Sequence, residues 1–130
     1  MSFILDTDHC IAILRGKLDV SEQIEPTASL YVTAITVSEL TYGAYKSDRA
    51  RAHLAQVELL LDSVTILPFD ELPARRCGEL KDTLRRLGSP IAEPDLQIAS
   101  IALHHALPLV SHNQRHFARV PELKLLDWME

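Results

Sequence analysis

The sequence predicts an α/β sandwich, and three observations point to it. Segments with strand-like and helical periodicity alternate along the whole chain, with no internal repeat and no low-complexity linker. At 130 residues and 14.6 kDa the chain suffices for one core and is too short for two ordinary domains, so residues 1–130 are expected to form a single domain. Three carboxylates, Asp6 in FILDTD, Glu39 in TVSELTYG and Asp95 in EPDLQIAS, each fall where a strand is expected to give way to a helix. Strands joined by crossover helices run the same way, so their carboxyl ends would gather these acids in one crevice.

The elements follow in order. Phe3 to Leu5 is a short apolar run that Asp6 ends, and a helix from about Asp8 follows with Ile11, Leu14 and Leu18 on one face. Leu30 to Thr33 is the second strand. After it, Thr36-Val37-Ser38-Glu39 fits a capping box in which Thr36 bonds forward and Glu39 reaches back, with Val37, Leu40 and Ala44 as the buried stripe. Gly43 and Ala44 would permit close backbone packing. Arg51 to Leu61 continues as a helix with Leu54, Val57 and Leu61 inward, and Val64 to Leu67 is a β-branched third strand closed by Pro68. Cys77, Leu80, Leu84 and Leu87 recur at helical spacing until Gly88-Ser89-Pro90 stops that helix. Pro94 suits the first position of the next helix, because its missing N–H would be unpaired there anyway. Asp95 then lies in the first turn, with Leu96, Ala99 and Leu103 as the packed face. Leu107 to Val110 is a fourth strand, Ser111, His112 and Asn113 a turn before a short helix, and Leu123 to Leu126 a fifth strand at an edge.

Composition narrows the function classes. The chain is 47% hydrophobic and 24% charged with a mean hydropathy of +0.04, ordinary for a globular fold. No apolar run reaches the roughly 18 residues a membrane span needs, and Met1-Ser2-Phe3-Ile4 leads into a strand without a basic signal-peptide start, so a soluble, cytoplasmic protein is expected. A net charge of -5 argues against a protein held to nucleic acid by bulk electrostatics; such a partner would need local basic patches and a bridging metal. Arg75, Arg76, Lys81, Arg85 and Arg86 form one basic cluster and Arg115, His116 and Arg119 another. The first is equally well read as a solvated helix face with Asp82 and Arg86 as an i,i+4 pair. Cys10 and Cys77 lack CxxC spacing and lie in apolar stripes, which reads as two buried free thiols.

Taken singly, each acid has a structural reading, since Asp and Glu are favoured near helix N-termini by the dipole and by capping. Glu39 alone is explained as the partner of Thr36. Helix preference does not predict three acids at one mouth of a sheet, where they would repel one another unless a cation intervened. Hard oxygen ligands suit Mg²⁺ or Mn²⁺, and metal-assisted attack on a phosphodiester is the chemistry such sites most often serve. Asp8 reads as an N-cap or an outer acid, Glu93 as an outer acid or a flank residue in water, and Asn113 as an N-cap or a neutral oxygen ligand. Ser111 at a strand end is placed to hydrogen-bond an acid and fix its rotamer. His112 and His116 have the spacing of a helical zinc pair, but without a nearby Cys or an HExxH motif a solvent-exposed or RNA-contacting role is expected.

ILDTD, SELTYGAYKS, LRRLGSPIAEPDLQIASIAL and LVSHNQRHFARVPELKLLDW, in that order and spacing, resemble a PIN-domain ribonuclease, specifically a VapC-type toxin of a bacterial toxin–antitoxin pair. The resemblance spans essentially the whole chain. It implies a PIN-like three-layer fold, a central twisted parallel sheet of about five strands flanked by helices, and a Mg²⁺-dependent endoribonuclease site in which Mn²⁺ substitutes. By position, Asp6, Glu39 and Asp95 match the three principal acids of the family. The fourth acidic position falls at or near Asn113, where the family often has Asp and close relatives also carry Asn. The resemblance further implies that Asp6 and Asp95 ligate the ion while Glu39 positions it or its water. Arg115 and Arg119 become RNA-backbone contacts. It implies an RNA substrate, a VapB-like antitoxin covering an apolar groove on the early helices, a homodimer, and a toxin–antitoxin hetero-oligomer; the apolar face of Val37, Leu40, Tyr42 and Tyr45, with Leu54 and Leu61, fits such a groove, a core or a homodimer seam equally well.

Two other readings use the same residues. A haloacid-dehalogenase-like phosphatase would use Asp6-Thr7-Asp8 as nucleophile and acid, but needs a lysine at a later strand end that this short chain does not offer. A non-catalytic PIN-like module would bind RNA or protein and cut nothing.

Overall fold

The computed structural model describes residues 1–129, within which the strands and helices alternate in the expected order. Strands β1 (Ser2–Leu5), β2 (Ser29–Thr33), β3 (Thr65–Leu67), β4 (Leu109–Val110) and β5 (Leu125–Leu126) form one parallel sheet in the order β3-β2-β1-β4-β5. The edge strands β3 and β5 are only three and two residues long, which limits the unpaired backbone they present.

Strand alternation builds the three layers. Phe3 and Leu5 of β1 face one core with Val32 and Val110, while Ile4 faces the other with Leu109. The first core is covered by α1 (Thr7–Leu14), α2 (Ala34–Tyr45) and α3 (Ala50–Asp62), through Cys10, Leu40, Ala44 and Val57. The second is covered by α4 (Glu71–Arg86), α5 (Glu93–His105) and α6 (Gln114–Phe117), through Cys77, Leu80, Leu84, Leu96, Ile101 and Phe117. Helix α5 is buried at every position from Ile98 to Ala102, because it lies against α2, α4 and α6, and Ser100 meets its own need by donating to the Leu96 carbonyl at 2.6 Å. Both cysteines are free and buried, and burial pushes the Cys10 thiol up to about 12. No described helix is long and apolar enough to cross a membrane.

Several local expectations are corrected. In α1 the inward residues are His9, Cys10 and Ala12; Ile11 is exposed and Leu18 lies beyond the helix, because the tight entry from β1 through Asp6 fixes which side of a two-turn helix meets the sheet. Helix α2 begins one turn earlier than the capping box implied. Thr33 is its N-cap and accepts from the Thr36 amide, which leaves the Glu39 carboxylate for a partner outside its own helix. Leu87 caps α4 and is exposed. Helix α5 starts at Glu93, so Pro94 is its second residue, and it is entered from α4 rather than from a strand. A Cβ on Gly43 would meet nothing within 4 Å, so no close packing occurs there within the chain, and Tyr42 and Tyr45 beside it are exposed while Leu40 is taken into the core.

Gly88 ends α4 with φ +69°, its amide donating to the Arg85 carbonyl while the Ser89 amide donates to that of Leu84, a Schellman arrangement. Gly88→Ala is expected to cost about 1 kcal/mol, read as an earlier urea midpoint with an unchanged slope, since a Cβ is strained in this region even where space is open.

Candidate active site

The carboxyl ends of β1, β2, β4 and β5 open on one side of the sheet, and the sequence supplies Asp6, Thr33, Ser111 and Asp127 directly after, or as, their last residues. Asp6 is the N-cap of α1. Its Oδ1 accepts from the Thr7 amide at 2.8 Å and its Oδ2 from the Ser111 hydroxyl at 2.6 Å, so both oxygens are held and the side chain is buried. Burial pushes its carboxyl up to about 6, with the charges of Asp8 and Asp95 adding to the rise and the Ser111 and Thr7 bonds opposing it.

Asp95, in the first turn of α5, carries one of those charges. Its Oδ2 accepts from Asn113 Nδ2 at 3.2 Å and from His116 Nδ1 at 2.9 Å, which ties α5 to the segment after β4. Glu39 approaches from α2. Its Oε1 accepts from the Thr7 hydroxyl at 2.6 Å, and Thr36 Oγ1 lies 3.0 Å from that same hydroxyl oxygen. Asp6, Glu39, Asp95, Asn113 and Ser111 therefore belong to one bonded neighbourhood.

Asp8 stands behind it. Its Oδ2 accepts from the His112 amide at 2.9 Å, with Ser111 Oγ at 3.4 Å, and its Oδ1 lies 2.7 Å from His9 Nδ1. Burial alone would raise its carboxyl, but the bonds from His9 and the His112 amide outweigh it and hold the group below the ordinary carboxylate value. His9 is fully buried; its Nε2 accepts from the Trp128 amide at 3.0 Å, so the neutral ring carries its proton on Nδ1 and donates to Asp8. Trp128 meets Phe3 edge-on at 5.2 Å, and Asp127 Oδ2 accepts from His112 Nδ1 at 2.8 Å. The ends of β1, β4 and β5 are thus laced together around the acids.

Other expected site residues stand apart. Glu93 pairs with Lys81 at 3.0 Å on the side facing α4, and is half exposed. Arg119 donates to the Pro90 carbonyl at 2.9 Å and so braces the loop before α5. Arg115 is exposed on α6. In the first basic cluster Arg85 and Arg86 both pair with Asp82, as a solvated helix face does. Thr36, expected as the cap of α2, instead meets the Thr7 hydroxyl, and Thr7 on Glu39, the His116 bond to Asp95 and the part played by Asp127 carry no local signal beyond the LDW ending.

Among the described residues no three His, Cys, Asp or Glu side chains converge closely enough to enclose an ion by themselves. The donor set nevertheless fits Mg²⁺ or Mn²⁺. Mg²⁺ keeps several waters and takes one or two carboxylates, and a buried Asp6 bearing the fields of two neighbouring acids has charge for a cation to relieve.

Residues 3–123 match the family model for the PIN domain. The chain belongs to the PIN-domain family. This PIN domain is 33% identical over 130 residues to the tRNA(fMet)-specific endonuclease VapC of Salmonella typhimurium, with 98% of each chain covered. It is 34% identical over 131 residues to Ribonuclease VapC2 of Haemophilus influenzae, with 99% of each covered. Among solved structures, a chain of VapBC2 from Rickettsia felis bound to a DNA fragment from their promoter matches with a TM-score of 0.90 at 28% identity, over 98% of this chain and 99% of that one. A chain of DNA-bound VapBC from Salmonella typhimurium matches with a TM-score of 0.90 at 31% identity, over 98% of both.

Proposed function

We propose that this PIN domain is a Mg²⁺-dependent endoribonuclease, with Mn²⁺ able to substitute, and the toxin of a VapBC-type pair. It hydrolyses an RNA phosphodiester by attack of an activated water. The observation that carries the reading is the buried Asp6 carboxylate, held on both oxygens and bearing the charges of Asp8 and Asp95 at the open end of the sheet. Relatives of matching length named as ribonucleases and a tRNA endonuclease support it.

In this mechanism Asp6 and Asp95 would hold the ion and Glu39 would hold it or one of its waters; when bound, such an ion would lower the pKa of a water and offset charge on the phosphoryl oxygens. The remaining work is done by the chain. Ser111 and the Thr7 amide fix the Asp6 rotamer, while Asn113 and His116 fix Asp95. The Thr7 hydroxyl engages one Glu39 oxygen and leaves the other to orient the attacking water. Arg115, exposed on α6, contacts the RNA backbone. The site is served in the cytoplasm.

The partner reading is a VapB-like antitoxin seated on the α2–α3 side, where Tyr42, Tyr45 and Leu59 are each about two-thirds or more exposed. A homodimer and a toxin–antitoxin hetero-oligomer follow from the same family.

Purified, partner-free protein incubated with total RNA in Mg²⁺, Mn²⁺ or EDTA tests the reading. Discrete cuts that need the ion, with their ends sequenced, support the nuclease and name its substrate. Folded protein that binds RNA without cutting it would mark a non-catalytic module instead. Thr7→Val, which removes the hydroxyl on Glu39 and keeps the shape, is expected to lower the single-turnover cleavage rate about tenfold with little change in melting temperature.

A further inference from the structure

Where α4 turns into α5, beside the acids, lies a cavity of about 180 Å³ that the proposed mechanism leaves unused. Leu84 and Leu96, both buried, lie at its base, with Pro90 and Ile91 as a wall and the exposed side chains of Lys81 and Arg85 at the rim. The slot shares its supports with the acidic site. Leu96 follows Asp95 in α5, and Glu93 of the same turn holds Lys81 at 3.0 Å. Arg119 donates to the Pro90 carbonyl at 2.9 Å, from just beyond the short helix whose His116 meets Asp95.

Size and charge select the occupant. An apolar cavity of about 150 Å³ admits benzene, so this slot has room for one planar ring and not for a helix or strand. Its surroundings are cationic although the chain carries a net charge of -5. Asp82 is shared between Arg85, at 2.7 Å, and Arg86, at 2.8 Å, so with Lys81 and Arg119 four positive groups stand against the two carboxylates of Asp82 and Glu93. A flat ring tied to an anionic backbone answers both features, whereas an apolar protein side chain would fill the slot and gain nothing from the cations. Single-stranded RNA is read through bases turned out of the stack, which pack on side chains and on guanidinium planes. We propose that this slot takes one unstacked base of the RNA substrate, with Lys81 and Arg85 meeting the phosphate of the same nucleotide. The inference deepens the nuclease reading, since it concerns which nucleotide is presented to the acids.

The test separates base from backbone. Partner-free protein with isotope-labelled Ile and Leu methyl groups is titrated, in EDTA at low salt, with oligouridylate and oligoadenylate hexamers and with an abasic ribose-phosphate hexamer. The Ile91 and Leu96 methyl resonances are expected to move upfield, by the ring current of a packed base, with at least one base-bearing hexamer and to stay in place with the abasic one. That hexamer is expected to bind wild type about tenfold tighter than the abasic one. Ile91→Phe, which fills the slot, and Arg85→Gln, at its exposed rim, should each reduce this preference to less than about twofold; the second keeps the test decisive should the first disturb folding. Equal affinity for base-bearing and abasic hexamers, or a preference that both variants keep, overturns the inference. Slot methyls that shift with protein concentration and ignore RNA overturn it too, and give the slot to a second copy of the chain. Cleavage of total RNA by the same protein is read separately: cuts without a base preference remove the slot and leave the nuclease, and a base preference without cuts removes the nuclease and keeps the slot.

Discussion

Asp95→Asn is expected to lower ion-dependent RNA cleavage about a thousandfold, on the order of 4 kcal/mol of lost transition-state stabilisation. The substitution keeps the shape of the side chain and an oxygen to accept from His116 Nδ1, so the α5 to α6 connection survives. What would be lost is one of the two carboxylate charges proposed to hold the ion, and a neutral amide holds Mg²⁺ less well. Calorimetric titration with Mg²⁺ in the absence of RNA is expected to show weaker binding than wild type, which separates loss of the ion from loss of fold. Cleavage within tenfold of wild type would remove Asp95 from the mechanism. Folded Asp95→Asn with normal Mg²⁺ affinity and no activity would leave it another role.

Asp6→Asn is expected to abolish cleavage yet make the ion-free protein more stable at neutral pH, by about 3 kcal/mol. The sign follows from where the proton is. Burial and the charges of Asp8 and Asp95 lift the native carboxyl to about 6 from an ordinary 3.8, so between these values the native state binds more protons than the unfolded chain. Stability from this group is complete below about 3.8 and is lost as pH rises through about 6. Asparagine carries no charge to bury, and its amide still bonds the Thr7 amide and the Ser111 hydroxyl. The variant should therefore melt higher than wild type in EDTA at pH 7.5, with the gap closing towards pH 4. Asp8 works in the opposite sense: its depressed carboxyl contributes stability that is lost as pH falls through its native value. Added Mg²⁺ should raise the melting temperature of wild type and leave Asp6→Asn unmoved. Wild type melting at or above the variant in EDTA at pH 7.5 would mean that Asp6 is not held against its own charge.

Hydrophobic period and stop signals made the layer structure legible. Val57 in α3, and Cys77, Leu80 and Leu84 in α4, are inward as their spacing requires, and Gly88 ends α4 where a positive φ is needed. Such features depend on residues within a turn or two of one another, and the sequence states those separations directly. Short elements were less legible. Helix α1 has too few residues for a period to declare itself, so its spacing points Ile11 inward whereas the fold buries His9.

The acids show the same division. That Asp6 ends a strand and Asp95 begins a helix is local, but α5 is entered from α4 and not from a strand, so the alternation alone places Asp6 at the open end of the sheet and leaves Asp95 to packing. Only the tertiary structure decided their partners: Thr7 on Glu39 across 32 positions, Ser111 on Asp6 across 105, and His116 on Asp95 across 21. A hydrogen bond forms when two rigid elements meet at a given angle and height, and neither quantity is encoded in the spacing along either element. The chain itself therefore determined which groups carry charge and that Asp6 ends a strand, while packing determined which of the acids meet, which are held and which are desolvated.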